Sequence, residues 1–370
     1  MHAAIRAAWR GHGYVEPNPM VGCVITNATG DVIGIGHHER FGQAHAEVNA
    51  LRQAGMAARN GTAYITLEPC HHHGKTPPCS AALIDAGIRR VVIGQRDPHI
   101  DAQGGAEALR RADIDVHFPY ADDNEFFPFW PAEPFVYRVT SGLPFIIAKW
   151  AQSIDGRIAT RTGESQWLSG ASSRALVHRQ RGRVDAILTG IGTVLRDDPL
   201  LTARHVRIRR RARRIILDPG LRTPVDCRLT QSCDIAPVTL VCTNDAEAQR
   251  SDHADALREA GVEIIAFADT DGRFDLRELL SFLSRRHDIT TMLTEAGPAV
   301  MSQLAKAKLI RLAWVFTGPK YIADESAPAA MNGFGSPELG SAMSYRLVSL
   351  RRRDHDVVAM YRPRTAGIHT

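Results

Sequence analysis

The chain has 370 residues, of which 44% are hydrophobic and 23% charged, and a formal net charge of +5. At roughly 100–200 residues per domain that length excludes a single small module, and the composition excludes a disordered chain. No stretch approaches the roughly 20 apolar residues of a membrane helix, and Met1 to Gly13 carries Arg6, Arg10 and two histidines instead of a signal-type run, so a cytoplasmic protein with no membrane partner is expected.

In chain order, apolar strands at Val21–Ile25 and Val32–Ile35 flank Asn27-Ala-Thr-Gly30-Asp31, which has the chemistry of a hairpin turn. A helix from about His45 to Ala58 follows, then a strand from Thr62 to Leu67, a Gly/Pro-rich loop, a helix from Ser80 to Ala86 and a strand from Arg90 to Ile93. A helix (Glu107–Arg111) and a strand (Ile114–Phe118) close a first α/β unit, expected to hold a mostly parallel sheet covered on both faces. Acidic, aromatic and proline-rich sequence between about Pro119 and Pro144 marks a junction, giving domains at 1–119 and 144–370 joined by a linker at 120–143. The second domain resumes the alternation. Strands are expected at Phe145–Ala151, Asp185–Thr189, Arg214–Leu217, Val238–Cys242, Val262–Phe267, Thr290–Leu293 and Leu312–Phe316, with a hairpin around Asp354. Helices are expected at Ser172–Gly182, Ala248–Ala260, Leu276–Arg286 and Ala299–Leu309, making this domain α/β as well.

His45-Ala46-Glu47 opens a helix, Pro69-Cys70 follows a strand, and Cys79 starts the next helix. One imidazole and two thiolates suit a zinc ion with a fourth position open to water, the arrangement in which zinc makes water a nucleophile near neutral pH. Glu47 lies roughly 200° around the helix from His45 and is cast as the proton carrier beside the metal, not as a ligand. The pattern follows the zinc-deaminase signature, H-x-E and a later P-C, except that the second cysteine comes nine positions on. The six cysteines are otherwise few for this length and fit free thiols, and His71, His72 and His73 remain alternative donors.

Pro17-Asn18-Pro19-x-Val21-Gly22, Gly34-x-Gly36-x-His38-x3-Gly42-x2-His45-Ala46-Glu47 and Thr66-Leu67-Glu68-Pro69-Cys70-x-His72-x-Gly74-Lys75-Thr76-Pro77-Pro78-Cys79 together resemble the deaminase half of the bifunctional riboflavin-biosynthesis deaminase/reductases. That resemblance implies a cytidine-deaminase-like αβα domain, one Zn2+ per chain held by His45, Cys70 and Cys79, and a pocket that includes Asn18, His38 and Lys75. Lys75, one of five lysines, could serve as a cation for a phosphate or a polar ring edge, the alternative being a solvated loop lysine.

In the second domain, Thr189-Gly190-Ile191-Gly192-Thr193 ends a strand with unobstructed backbone N–H groups suited to a phosphate, while the absence of G-x-G-x-x-G disfavours a Rossmann dinucleotide site. Trp167, taken by itself, reads as core. Lys149-x-Ala151-x-Ser153-x-Asp155-Gly156, Gly163-Glu164-Ser165-Gln166-Trp167, Asp197-Asp198-Pro199-x-Leu201-Thr202-x-Arg204 and Thr294-Glu295-Ala296-Gly297-Pro298 resemble the reductase half of the same family. This implies a dihydrofolate-reductase-like α/β fold and NADPH, with cofactor contacts at Ala151, Trp167, Thr193, Asp197 and Gly297. Substrate contacts are implied at Ser165, Arg181, Leu201, Arg204 and Glu295. Guanidinium forks at Arg181 and Arg204 fit a phosphate.

The positive charge peaks at Arg204–Arg214, with seven arginines in eleven residues. No aromatic is interleaved, so this run reads as a solvated loop and not as a nucleic-acid patch. Departures from the family pattern fall at Asp97-Pro98-His99, in the aromatic stretch Phe126–Val136, and at Arg311-Leu312. The expected activity is therefore a pair of successive steps. The first is hydrolytic deamination of 2,5-diamino-6-(5-phosphoribosylamino)pyrimidin-4(3H)-one, and the second is NADPH-dependent reduction of the ribosyl group of 5-amino-6-(5-phosphoribosylamino)uracil to ribityl. The expected partner is the phosphoribosylated pyrimidine, with no nucleic acid, and the chain is expected to be a homo-oligomer.

Overall fold

The structure is a computed structural model and describes residues 1–71, 78–99, 104–119, 130–333 and 335–364. It divides into two compact units, Met1–Leu143 and Pro144–Thr370.

Unit 1 runs α1 (His2–Ala8), β1 (Gly22–Thr26), β2 (Val32–His37), α2 (Ala46–Ala54), β3 (Thr62–Ile65), α3 (Cys79–Asp85), β4 (Arg90–Ile93), α4 (Gly105–Arg111), β5 (Asp115–His117) and α5 (Glu133–Ser141). Its sheet has the order β2-β1-β3-β4-β5. The β1–β2 turn is built as its residues suggest, with the Asn27 side chain accepting from Thr29 N and Asp31 N at 3.1 and 2.9 Å and Gly30 at φ +94°. The mostly parallel sheet expected from sequence is in fact mixed. The hairpin makes β1 antiparallel to β2, and the chain then passes through α2 to lay β3 on the far side of β1, antiparallel to it as well; only β3–β4 and β4–β5 are parallel.

Two faces of this sheet are covered by closely docked helices. An added Cβ on Gly22 would lie 2.0 Å from Ala4 O of α1, and one on Gly36 would lie 2.2 Å from Ala46 O of α2. Gly36 pairs with Cys23, and successive residues of a strand point to opposite faces, so α1 and α2 sit on opposite sides. The α2 side carries the main core, with Ile25, Ile65, Leu83, Ile93 and Leu109 at 0% exposure. Burial of each such side chain stabilises the fold by about 1.5–3 kcal/mol. Ile5 and Trp130 form a smaller cluster that includes α1. The helix expected from His45 to Ala58 ends earlier, at Ala54, and passes through Gly55 into a 3₁₀ turn, Gly55–Ala58.

Unit 2 runs β6 (Phe145–Gln152), α6 (Ala171–Arg181), β7 (Ala186–Gly190), α7 (Ile191–Asp197), β8 (Arg213–Leu217), β9 (Val238–Thr243), α8 (Asn244–Gln249), α9 (Ser251–Glu259), β10 (Glu263–Phe267), α10 (Leu276–His287), β11 (Thr291–Thr294), α11 (Pro298–Lys306), β12 (Ile310–Thr317), β13 (Tyr345–Arg353) and β14 (Asp356–Pro363). The nine strands form one sheet, β10-β9-β8-β7-β11-β6-β12-β14-β13, parallel from β10 through β12 and closed by the antiparallel β13–β14 hairpin. The central parallel strands are apolar on both faces; β7 is buried at every residue. The expected helix Ala248–Ala260 is two helices. Thr243 Oγ1 caps α8 by accepting from Ala246 N at 3.1 Å, and the chain breaks at Arg250 before α9 starts.

The Arg204–Arg214 run departs from the solvated loop expected. Arg214 is 0% exposed. Its Nη1 donates to Leu200 O and Ser232 Oγ (3.1 and 2.7 Å), and its Nη2 donates to Ser232 O (2.7 Å) and to Ala236 O. Arg213 pairs with Glu263 at 2.8 Å and Arg210 with Asp185 at 2.9 Å. Three arginines of the run are thus committed to the fold.

Candidate active sites

In unit 1 the backbone brings three donors together. His45 is the N-cap residue of α2, Cys70 follows β3, and Cys79 is the first residue of α3. His45 Nδ1 lies 3.2 Å from Cys79 Sγ and 3.6 Å from Cys70 Sγ, and the three donor atoms lie within 4.8 Å of one another. Tetrahedral zinc with ordinary Zn–N and Zn–S bonds separates such donors by about 3.6–3.8 Å, so the set fits the ion in both chemistry and spacing. The Cys79 thiol, then the His45 imidazole and the Cys79 backbone N–H, bring the Cys70 thiol down to about 4; the same sharing, with burial, pushes Cys79 up. Glu47, in the first turn of α2, is 3% exposed, and its Oε2 has no hydrogen-bond partner among the described residues. Burial raises its carboxyl to about 7, against the opposing pull of His45.

Asn18 and His38 also reach this site. The His38 ring stands edge-on to His45 at 5.4 Å; its Nδ1 is 3.1 Å from Ala44 O and its Nε2 is 3.4 Å from Asn18 Nδ2. A carbonyl only accepts, so Nδ1 carries the proton and Nε2 accepts from the Asn18 amide. Burial lowers the His38 pKa and keeps it neutral. Of the alternative donors, His71 is engaged elsewhere, through Ser80 Oγ at 2.9 Å. Lys75, His72 and His73 lie outside the described residues.

Several motif residues that sequence reasoning left without a role are packing devices. Glu68 accepts from Asp97 N and Ala106 N (3.4 and 3.1 Å), tying the Cys70 loop to α4 and to the Asp97 segment. An added Cβ on Gly105 would lie 1.8 Å from Pro69 O, which shows how closely α4 abuts that loop. Within Thr66-Leu67-Glu68-Pro69-Cys70, the signal available from sequence was a carboxylate beside a proline, at a strand end where burial is the rule.

In unit 2 the carboxyl ends of β6, β7 and β11 open onto a cavity of about 620 Å³. Ala151, Trp167, Thr193, Asp197 and Gly297, the expected cofactor contacts, all line it. So do Ser165, Arg181, Leu201, Arg204 and Glu295, the expected substrate contacts. Crevices at the carboxyl ends of parallel strands are where open α/β sheets bind ligands. Gly297 is the N-cap of α11, and an added Cβ on Gly192 would meet nothing within 4 Å, so bare backbone faces the cavity at both places. Trp167 is not core. It is 57% exposed at the cavity wall, with the Arg174 guanidinium 4.4 Å above its ring and Arg174 Nη1 donating to Ser169 O at 2.6 Å. A long cofactor with phosphates and a flat ring fits this combination.

The cavity's charge centre is an ion-pair cluster. Arg181 Nε and Nη2 donate to the two oxygens of Glu295 at 2.6 and 3.0 Å, and Lys149 Nζ stands 3.6 Å from the same carboxylate. Burial alone would raise Glu295, but Arg181 and then Lys149 hold it down at about 2. Burial pulls the Lys149 ammonium below its usual range. His178, which also lines the cavity, falls to about 4 through burial and then the charges of Arg181 and Arg204, so it is neutral at ordinary pH. Lys149 had no role in the sequence reading; its signal was a single cation in the otherwise apolar strand Phe145-Ile-Ile-Ala-Lys149-Trp.

Residues 144–359 match the family model of the RibD C-terminal domain, and residues 1–95 match that of the cytidine and deoxycytidylate deaminase zinc-binding region. The chain is 35% identical to the riboflavin biosynthesis protein RibD of Aquifex aeolicus, over 98% of this chain and 97% of that one. It is also 35% identical to RibD of Escherichia coli, over 96% of each. Among solved structures, a diaminohydroxyphosphoribosylaminopyrimidine deaminase/5-amino-6-(5-phosphoribosylamino)uracil reductase from Thermotoga maritima superposes with a TM-score of 0.82 at 32% identity, covering 98% of this chain and 97% of that one. RibD of Acinetobacter baumannii gives 0.81 at 32% identity, covering 98% of each chain.

Proposed function

The chain belongs to the RibD family of bifunctional deaminase/reductases of riboflavin biosynthesis, and from that premise we propose that it acts on the two substrates named for its Thermotoga relative, using zinc in unit 1 and NADPH in unit 2. The observation that carries the first half is the convergence of His45, Cys70 and Cys79 within 4.8 Å beside a buried carboxyl with an unpartnered oxygen. The second half rests on the single cavity that gathers the expected cofactor and substrate contacts.

In unit 1, His45 Nδ1 and the two sulfurs would hold the zinc. When bound, zinc supplies a Lewis acid that makes water nucleophilic near neutral pH. Glu47 does the proton work: its carboxylate takes a proton from the attacking water and returns it to the exocyclic amine, which leaves as ammonia while the ring carbon gains an oxo group. Asn18 and His38, fixed to each other and to Ala44, line the approach to the ring as a neutral hydrogen-bonding pair.

In unit 2, Trp167, Thr193, Asp197, Ala151 and Gly297 would position NADPH. Ser165, Leu201 and Arg204 would position the ribosyl phosphate. Opening the sugar to a ribityl chain places a hydride on the anomeric carbon and a proton on the ring oxygen. Lys149 is suited to deliver that proton: its ammonium is desolvated and held at the cavity by Glu295, which Arg181 locks in place. The same reading takes the enzyme to be cytoplasmic, homo-oligomeric and free of nucleic acid; three of the seven arginines of the Arg204–Arg214 run are engaged within the fold, and no helix among the described residues is long and apolar enough to cross a membrane.

The test is zinc content measured beside ammonia release. The unaltered chain should carry one zinc and release ammonia from the diaminopyrimidine. Cys70→Ala should lose both, and a protein that releases ammonia undiminished without zinc would refute the assignment.

A further inference from the structure

The Trp167 ring is largely exposed at the cavity wall, yet the two residues that follow it, Leu168 and Ser169, are buried. Residues 165–170 lie between β6 and α6, outside any helix or strand. An aromatic side chain on an irregular stretch ordinarily samples many positions, and ordering it only when a ligand arrives costs affinity. Here the backbone beside the ring is gripped at successive residues, and two of the grips come from the far end of the chain.

Gly170, the N-cap residue of α6, donates its backbone N–H to Asp356 Oδ2 at 2.7 Å. Asp356 is the first residue of β14 and is 2% exposed. Lys320 Nζ donates to Trp167 O at 2.8 Å. The Lys320 backbone is itself pinned, its N donating to Gly318 O and its O accepting from Ile154 N, both at 2.8 Å. Between these two anchors the chain leaving β12 abuts the segment directly, since an added Cβ on Gly318 would lie 1.8 Å from Leu168 O. Arg174 closes the set by donating to Ser169 O from below the ring it covers. The backbone groups at Trp167, Ser169 and Gly170 are thus engaged, and the indole is left facing the cavity.

The anchors differ in weight. Lys320 is exposed, so its bond competes with water, whereas the Asp356 carboxylate is buried and charged and makes the stronger bond. Asp356 is not among the described residues that line the cavity, so any effect it has on a ligand there passes through the segment it holds.

We infer that Asp356 is a positioning residue for the reductase cofactor: from the C-terminal hairpin it holds the Trp167 segment, with Lys320 as a weaker second anchor, so that the indole stands preset as a wall for NADPH. This inference deepens the reductase reading above and rests on it.

The experiment titrates NADPH into the full chain and into its Asp356→Ala, Asp356→Asn, Trp167→Ala and doubly substituted Asp356→Ala, Trp167→Ala variants, following the fluorescence of the nucleotide, with KM for NADPH and ammonia release measured alongside. Asp356→Ala should weaken NADPH binding and raise its KM by about 10-fold, the lower end of what one charge-assisted hydrogen bond carries, with ammonia release unchanged. Asp356→Asn, which keeps an acceptor of the same shape, should fall between. On the Trp167→Ala background the loss of Asp356 should change NADPH affinity by less than about 2-fold, because its route to the cofactor is gone. The inference is overturned if Asp356→Ala binds NADPH like the unaltered chain, or if it weakens binding equally on both backgrounds, the signature of a general loss of fold. NADPH binding that ignores Trp167→Ala overturns it too. If the unaltered chain binds no NADPH, the reductase reading falls and takes the inference with it; binding that depends on Trp167 and not on Asp356 removes the inference alone.

Discussion

Glu47, itself 3% exposed, keeps a carboxyl oxygen without a hydrogen-bond partner among the described residues, an arrangement that costs a fold about 1–3 kcal/mol. Replacing it with glutamine keeps the shape and removes the proton carrier. Glu47→Gln should retain zinc, measured by metal content, and lose deamination by a factor of about 10²–10⁴ in an ammonia-release assay. Glu295 predicts a pH dependence. Its folded pKa of about 2 lies below its ordinary value, so the stabilisation it brings is complete above the ordinary carboxylate range and is lost as pH falls toward about 2. Acid unfolding of unit 2 should therefore steepen between those limits, and Glu295→Gln should flatten it; identical curves would refute the ion-pair account. Arg214, fully buried on three carbonyls and a hydroxyl, makes a third case. Arg214→Ala strands those acceptors and should destabilise unit 2 by about 3 kcal/mol or more in thermal unfolding, leaving zinc content unchanged.

At the scale of elements, the metal-site helix is positioned by glycines that permit contact between backbones. Gly36→Ala would place its Cβ 2.2 Å from Ala46 O and 2.4 Å from Ala50 N, so α2 must move and take His45 and Glu47 with it. Zinc content and deamination should both fall, while NADPH-dependent reduction persists. Elements of this kind mark how far the sequence could be read. Strands with sustained apolar runs and α10, with its Asp275 cap accepting from Arg277 N and Glu278 N, were legible because local chemistry decides them. The helix α7 was not, because Gly190-Ile191-Gly192 reads as a phosphate loop, and α1 owes its place to contact with β1 at Gly22, a tertiary fact. The hairpin turn foretold β1 against β2, but the antiparallel pairing of β1 with β3 lay beyond periodicity, which reports faces and not neighbours. At the sites, the His/Cys/Cys set and the cavity residues were legible through motif order. Lys149 was not, being a single cation in an apolar strand.

At the scale of the whole molecule, each unit holds its own group of candidate residues: a metal-donor cluster beside a buried carboxyl in one, and a cavity of about 620 Å³ with an internal ion pair in the other. The two chemistries are therefore expected to be separable by mutation. Glu47→Ala should stop the first and spare the second, and Arg204→Ala should weaken the second by raising KM and spare the first. The most direct measurement is mass analysis of the diaminopyrimidine phosphoribosyl substrate incubated with the full chain, with and without NADPH. The account predicts exchange of the amine for an oxo group without NADPH, and gain of two hydrogens in addition when NADPH is present. An unchanged mass in both reactions, or reduction without prior loss of the amine, would contradict it.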